Sequence, residues 1–121
     1  MKLRKIDDRD RIALPPSILP DFRDGLAYFM YDAKNKSIAL FSIKYLAGLS
    51  ENICRTYGRS IADSKSRQVS RTVFGRIYSS PICANSRAVI PYEVRRRARF
   101  FPGDELAFVE LTDRFVLRKK R

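Results

Sequence analysis

Arginines at 95, 96, 97 and 99 crowd one short segment, and Arg87 stands just ahead of it. The guanidinium is a permanent charge on a rigid fork of donors, suited to phosphates and carboxylates. The whole chain leans the same way. Lys and Arg number 25 against 13 Asp and Glu, a formal net charge of +12 over 121 residues. Such an excess points to a polyanionic partner: nucleic acid, an anionic membrane or an acidic protein. Other chemistries lack their parts. With no histidine, a His-based nucleophilic triad is excluded, and two cysteines, Cys54 and Cys83, cannot build a zinc site. Asp7, Asp8 and Asp10 could suggest a cation loop, but it lacks the length and terminal Glu of an EF-hand. There is no Gly-rich phosphate loop and no clearly spaced carboxylate pair. The expectation is therefore no enzyme, no cofactor and no small-molecule substrate. No run is long enough for a membrane helix, and no apolar leader precedes the cysteines, so reduced thiols in a cytoplasmic protein are expected.

The elements that must position these arginines read mainly as strands. Leu3 and Ile6 open one, Asp7 to Asp10 is a polar turn, and Arg11 to Leu14 is a second, ended by Pro15-Pro16. Ser17-Ile18-Leu19 suits one helical turn, cut short at Pro20 unless that proline sits in the first turn. Leu26 to Tyr31 and Ile38 to Phe41 flank a polar hairpin loop at 32–37. Ser42 is a good N-cap for a helix from Ile43 to about Ile53, with Leu46, Leu49 and Ile53 on its apolar face. A weaker helix follows to about Val73. A strand begins at Arg76-Ile77-Tyr78 and the chain runs on through Pro81-Ile82. Ala88 to Ile90 is a strand, Pro91 fits the first helical position, and Tyr92 to Arg99 has helical spacing with Val94 and Ala98 inward. Pro102-Gly103-Asp104 turns the chain. Leu106 to Leu111 is apolar enough for burial on both faces. A hairpin at 112–114 returns through Phe115 to Leu117, and a basic tail at 118–121 either adds non-specific electrostatics or is a disordered end.

The two ends match. Arg11-Ile12-Ala13-Leu14-Pro15 corresponds to Arg87-Ala88-Val89-Ile90-Pro91, an offset of 87 − 11 = 76. Leu26-Ala27-Tyr28-Phe29 corresponds to Leu106-Ala107-Phe108-Val109, an offset of 106 − 26 = 80, so the first copy is shorter by about four residues, those of the helix. A unit of roughly 45 residues buries too little surface to fold alone. The expected domains are a first repeat over 1–42, a helical connector over 43–75 and a second repeat with basic tail over 76–121.

The second copy runs Ser86-Arg87-Ala88-Val89-Ile90-Pro91-Tyr92-Glu93-Val94-Arg95, then Pro102-Gly103-Asp104-Glu105. This resembles the hallmark of the AbrB/SpoVT swapped-hairpin DNA-binding domains. Two tandem copies joined by helices resemble the MraZ family of that superfamily. The resemblance covers nearly the whole chain. It implies two pseudo-symmetric swapped-hairpin repeats forming a β-barrel, and sequence-specific binding of double-stranded DNA in transcriptional control. A homo-oligomer in the cytoplasm, associated with the nucleoid, is implied too. The family's Asp-x-x-x-Arg signature stands as Asp7 to Arg11, whereas the second copy has Cys83 in place of the Asp and keeps Arg87. The Gly expected before each Arg is Asp10 in one copy and Ser86 in the other.

In a fold of this kind the turns and first strands face DNA. Arg11 and Arg87 are then the candidates for bidentate contact with guanine. Arg11 is as well suited to holding its turn through Asp7, and Arg87, without a carboxylate at 83, is favoured for DNA. Lys2, Arg4, Lys5, Arg9 and Arg76 suit phosphates, which supply affinity and little specificity. Asn85 and Ser86 can reach bases or phosphates, or simply make the turn. Glu93 and Arg97 are spaced to pair on a solvated helix face. Two other readings stay open: an antitoxin-like module of the same fold, and a basic β-barrel bound to RNA or the ribosome.

Overall fold

The computed structural model describes residues 2–22, 24–48, 76–111 and 114–120. Its eight strands are β1 (Lys2–Lys5), β2 (Arg11–Ala13), β3 (Leu26–Asp32), β4 (Ser37–Phe41), β5 (Ile77–Cys83), β6 (Arg87–Val89), β7 (Glu105–Glu110) and β8 (Phe115–Lys119). They form one sheet in the order β1-β7-β8-β4-β3-β5-β6-β2. The terminal strands β1 and β2 are joined by the first turn, where the Asp7 N–H donates to the Arg11 carbonyl at 3.0 Å. The sheet thus curls into a nearly closed barrel, and the expected mainly β fold with short helices is what forms.

The repeat explains the strand order. Shifting by 76 to 80 residues maps β1 through β4 onto β5 through β8. β1 pairs with β7 and, equivalently, β5 pairs with β3. β2 pairs with β6, and β4 with β8. Each of these ladders joins one half to the other, so the hairpins are exchanged within a single chain. Neither half keeps its strands to itself, and the core forms only when both are present. Ile12 lies opposite Ala88 at the centre of the β2–β6 ladder, and both are fully buried. Around them pack Ile6, Phe29, Leu40, Ile90, Leu106 and Leu117.

A helix over Tyr92–Ala98 lays Val94 into this core, and Phe100, just past its end, joins it. Pro91 is its cap and not its first residue: ψ is 140°, still extended, while its carbonyl accepts the Val94 and Arg95 N–H groups at 3.2 and 2.9 Å. Arg99 ends it in the left-handed region at φ 57°. The first copy has only a 3₁₀ turn here, Leu19–Phe22, with Pro20 in its first turn and Ile18 and Phe22 buried. Ser42 precedes helical residues 43–48, and the Leu46 N–H donates to its carbonyl at 3.2 Å. The remainder of the expected connector, including Leu49, Ile53, Cys54 and the second helix, lies outside the described residues.

Two expectations need revision. Only the first half of β7 is buried on both faces, at Leu106 to Phe108, since Glu110 and Leu111 reach solvent at its end. The basic tail is largely strand: Arg118 and Lys119 belong to β8, and the Lys120 N–H donates to the Glu105 carbonyl at 2.9 Å. Lys119 and Lys120 pair with Asp104 and Glu105 at 3.2 and 3.1 Å. A β-ladder with β7 satisfies the backbone there, and nearby carboxylates spend the charge locally.

Candidate nucleic-acid interface

The β2–β6 ladder sets the two turns side by side. Its register places Arg11 opposite Val89 and Ala13 opposite Arg87, related by the 76-residue shift. Beyond it, two further bonds repeat the relation. The Leu14 N–H donates to the Ser86 carbonyl and the Ile90 N–H to the Asp10 carbonyl, each at 2.9 Å. Presenting those carbonyls requires a left-handed residue before each arginine. Asp10 and Ser86 supply it at φ 59° each, and Asn85 adds φ 63° to the second turn. The conformation of the missing glycines is therefore kept by residues with side chains, at a steric cost.

Asp7 is the hub. Its Oδ1 accepts the backbone N–H groups of Arg9 and Arg11, each at 2.9 Å. Its Oδ2 accepts Arg11 Nε at 2.8 Å and Arg87 Nη1 at 3.0 Å. The expectation that Arg87 has no carboxylate partner is thus corrected: it takes the other half's carboxylate, across the ladder. Partial burial opposes ionisation of Asp7. It is outweighed by the Arg11 and Arg9 N–H groups and the Arg11 guanidinium, which hold the pKa down to about 2. Asp7 is therefore charged across the physiological range.

Arg95 is committed to the scaffold. Its Nη1 pairs with Asp10 at 3.1 Å and its Nε donates to the Ile90 carbonyl at 3.0 Å, tying the helix to the first turn. Nothing in the local sequence announces the Asp10–Arg95 pair, because the partners lie 85 residues apart. Arg95 and Arg96 also lie over the exposed Tyr92 ring, 5.4 and 5.8 Å from its centre. The pair expected between Glu93 and Arg97 does not form. Both are exposed, where such a pair gains too little to fix two side chains.

The candidate contact residues fall into two groups. Arg9, Arg11, Asn85, Ser86 and Arg87 are brought together on the paired turns. Lys5 is exposed where β1 enters the first turn, and Arg4, one residue back, donates to the Leu3 carbonyl at 2.9 Å. Lys2 is at the far end of β1, its Nζ against Ser17 Oγ at 3.4 Å. Arg76 is exposed just before β5, seven residues from Cys83, and at strand rise that is roughly 20 Å from the second turn. The fold does not bring Lys2 and Arg76 to the turns. Among the described residues no cluster of His, Cys, Asp or Glu is arranged to hold a metal ion, and no helix is long and apolar enough to cross a membrane.

These features define a class: a basic, nearly closed barrel of two interleaved repeats, presenting two ladder-related arginine turns. Comparison with known proteins narrows it. The chain is similar to transcriptional regulators named MraZ: it is 29% identical over 94 residues to that of one strain of Dehalococcoides mccartyi, and 28% identical over 94 residues to that of a second strain. Each match covers 78% of this chain and 63% of the relative, so the matched part spans less than two thirds of the relatives' length. No protein-family model matches the chain.

Proposed function

We propose that this chain is a sequence-specific, double-stranded-DNA-binding transcriptional regulator, acting in the cytoplasm at the nucleoid as a homo-oligomer. One observation carries the reading. The fold sets two arginine turns side by side, on a chain of formal charge +12, and orients both arginines through one shared carboxylate. Arginine's fork of donors suits guanine edges in a major groove. Arg9, Lys5 and Arg4 flank them as phosphate contacts, and Asn85 and Ser86 lie beside Arg87. Lys2 and Arg76, away from the turns, contribute to the general field only. The similarity to proteins named as transcriptional regulators supports the same assignment.

The test is selection from a random duplex pool by the purified chain, with RNA as competitor. A recurring enriched motif is expected. Displacement of all DNA by RNA would replace this reading with an RNA-associated one. Light scattering on the same sample reads the number of copies.

A further inference from the structure

We propose that the two turns read DNA unequally: Asp7 positions Arg11 as the principal base-reading residue, Arg87 is a tethered second contact, and one chain therefore selects a duplex site without twofold symmetry. This rests on the DNA-binding reading above. The argument lies in which nitrogens Asp7 occupies. Arg11 is anchored by Nε, at 2.8 Å, which leaves the two terminal nitrogens together at the end of the fork. Bidentate contact with guanine O6 and N7 needs such a pair of N–H groups. Arg87 is anchored by Nη1, one of those terminal nitrogens, at 3.0 Å. Its end-on edge is therefore shared with Asp7, and the pair left wholly open is Nε and Nη2 on the side of the fork.

The carboxylate itself is held by Arg9 and Arg11 N–H groups, both of the first turn, so Asp7 belongs structurally to Arg11 and is borrowed by Arg87. Exposure agrees, with the Arg87 side chain 40% exposed and that of Arg11 26%. The residue that should anchor Arg87 stands 76 positions after Asp7, and it is Cys83. Its thiol is exposed and makes one weak contact, 3.9 Å to the Pro81 carbonyl. A thiol is a poor acceptor and cannot replace a carboxylate. The backbone relation between the halves is kept while the side-chain relation is broken at this one position.

The inference predicts a gain on substitution. Cys83→Asp should give Arg87 its own anchor and release it from Asp7. Duplex selection and matched-against-mismatched binding are run on the full chain for the wild type, Cys83→Asp and Cys83→Ser. The wild type should enrich, for each chain bound, one dominant G·C pair with no equal preference at the position related to it by the pseudo-symmetry of that chain's two halves. Cys83→Asp should raise preference for G·C at that related position by about fivefold or more, and Cys83→Ser should leave it unchanged. The added negative charge lowers overall affinity, so the ratio is the readout. Equal preference at the two positions read by one chain, or an unchanged ratio in Cys83→Asp, overturns the asymmetry and leaves DNA reading intact. No enriched duplex at all overturns both. Arginine Nε–H signals of the free protein give a check independent of DNA and of any substitution. Slow solvent exchange at Arg11 and fast exchange at Arg87 is expected, and equal protection overturns the proposal.

Discussion

Replacing Ser86 by glycine should stabilise this protein, whereas the equivalent change at Asp10 should not. Both residues sit at φ 59° and both offer their carbonyl to the opposite half. A side chain in the left-handed region costs about 1–2 kcal/mol, because Cβ crowds the following carbonyl. Glycine removes that strain but returns roughly 0.4–1 kcal/mol through the freer unfolded chain. The Ser86 hydroxyl makes no hydrogen bond among the described residues, so nothing else is lost. The net expectation for Ser86→Gly is a gain of about 1 kcal/mol, or some 4 °C in Tm for a domain near this size. Asp10 carries the ion pair to Arg95 at 3.1 Å, with both side chains three-quarters covered. Losing it offsets the relief, and Asp10→Gly should be neutral or destabilising. Thermal melts by circular dichroism, with denaturant titrations at constant m, measure both. A lower Tm for Ser86→Gly, or equal gains at the two positions, would refute the assignment of strain and of the Arg95 tether.

Three further outcomes are expected. Asp7 has its pKa lowered from the ordinary 3.8 to about 2, so its contribution is complete above the unfolded value and lost as pH falls from about 4 through 2. Melts across that window should show the loss in the wild type and a flatter profile in Asp7→Asn. Ile12 lies wholly buried against Ala88 where the halves meet, and Ile12→Ala should cost about 2–5 kcal/mol in a single cooperative denaturant transition; two separate transitions would contradict an interleaved core. Arg9→Ala should weaken binding to all duplexes alike and reduce the salt slope by about 1, whereas a change confined to one motif position would make Arg9 a base contact.

The legible parts of the fold were those with short-range causes. The apolar runs at 26–31, 38–41 and 106–108 announced β3, β4 and the buried half of β7, since alternation and bulk are local properties. The turn at Asp7–Asp10 followed from Asp bonding to nearby backbone, which the Arg9 and Arg11 N–H groups confirm. The partner of Arg87 is not legible in the sequence. Local spacing gave it no carboxylate, and the one it uses lies 80 residues away. The tail misled for the same reason, as its charge was visible and its strand partner was not. Pro91 marks an interruption, but Pro20 sits inside the first turn of the 3₁₀ helix and does not cut it short; whether proline falls inside a turn or just before a helix depends on the ψ of one bond.

What the sequence alone determined is the kit: two copies of a strand–turn–strand unit, a strong basic excess, one Asp-x-x-x-Arg and one copy with cysteine in its place. Repetition also implied two related halves, because units so short cannot bury a core separately. Only the tertiary structure decided that the halves interleave within one chain, with every cross-half ladder running between β1–β4 and β5–β8. It alone put one carboxylate between two arginines and assigned Nε of one and Nη1 of the other. Pairing of strands and sharing of a charge are set by distances across the sheet. Those distances follow from the closure of the whole barrel, and no window of sequence contains them.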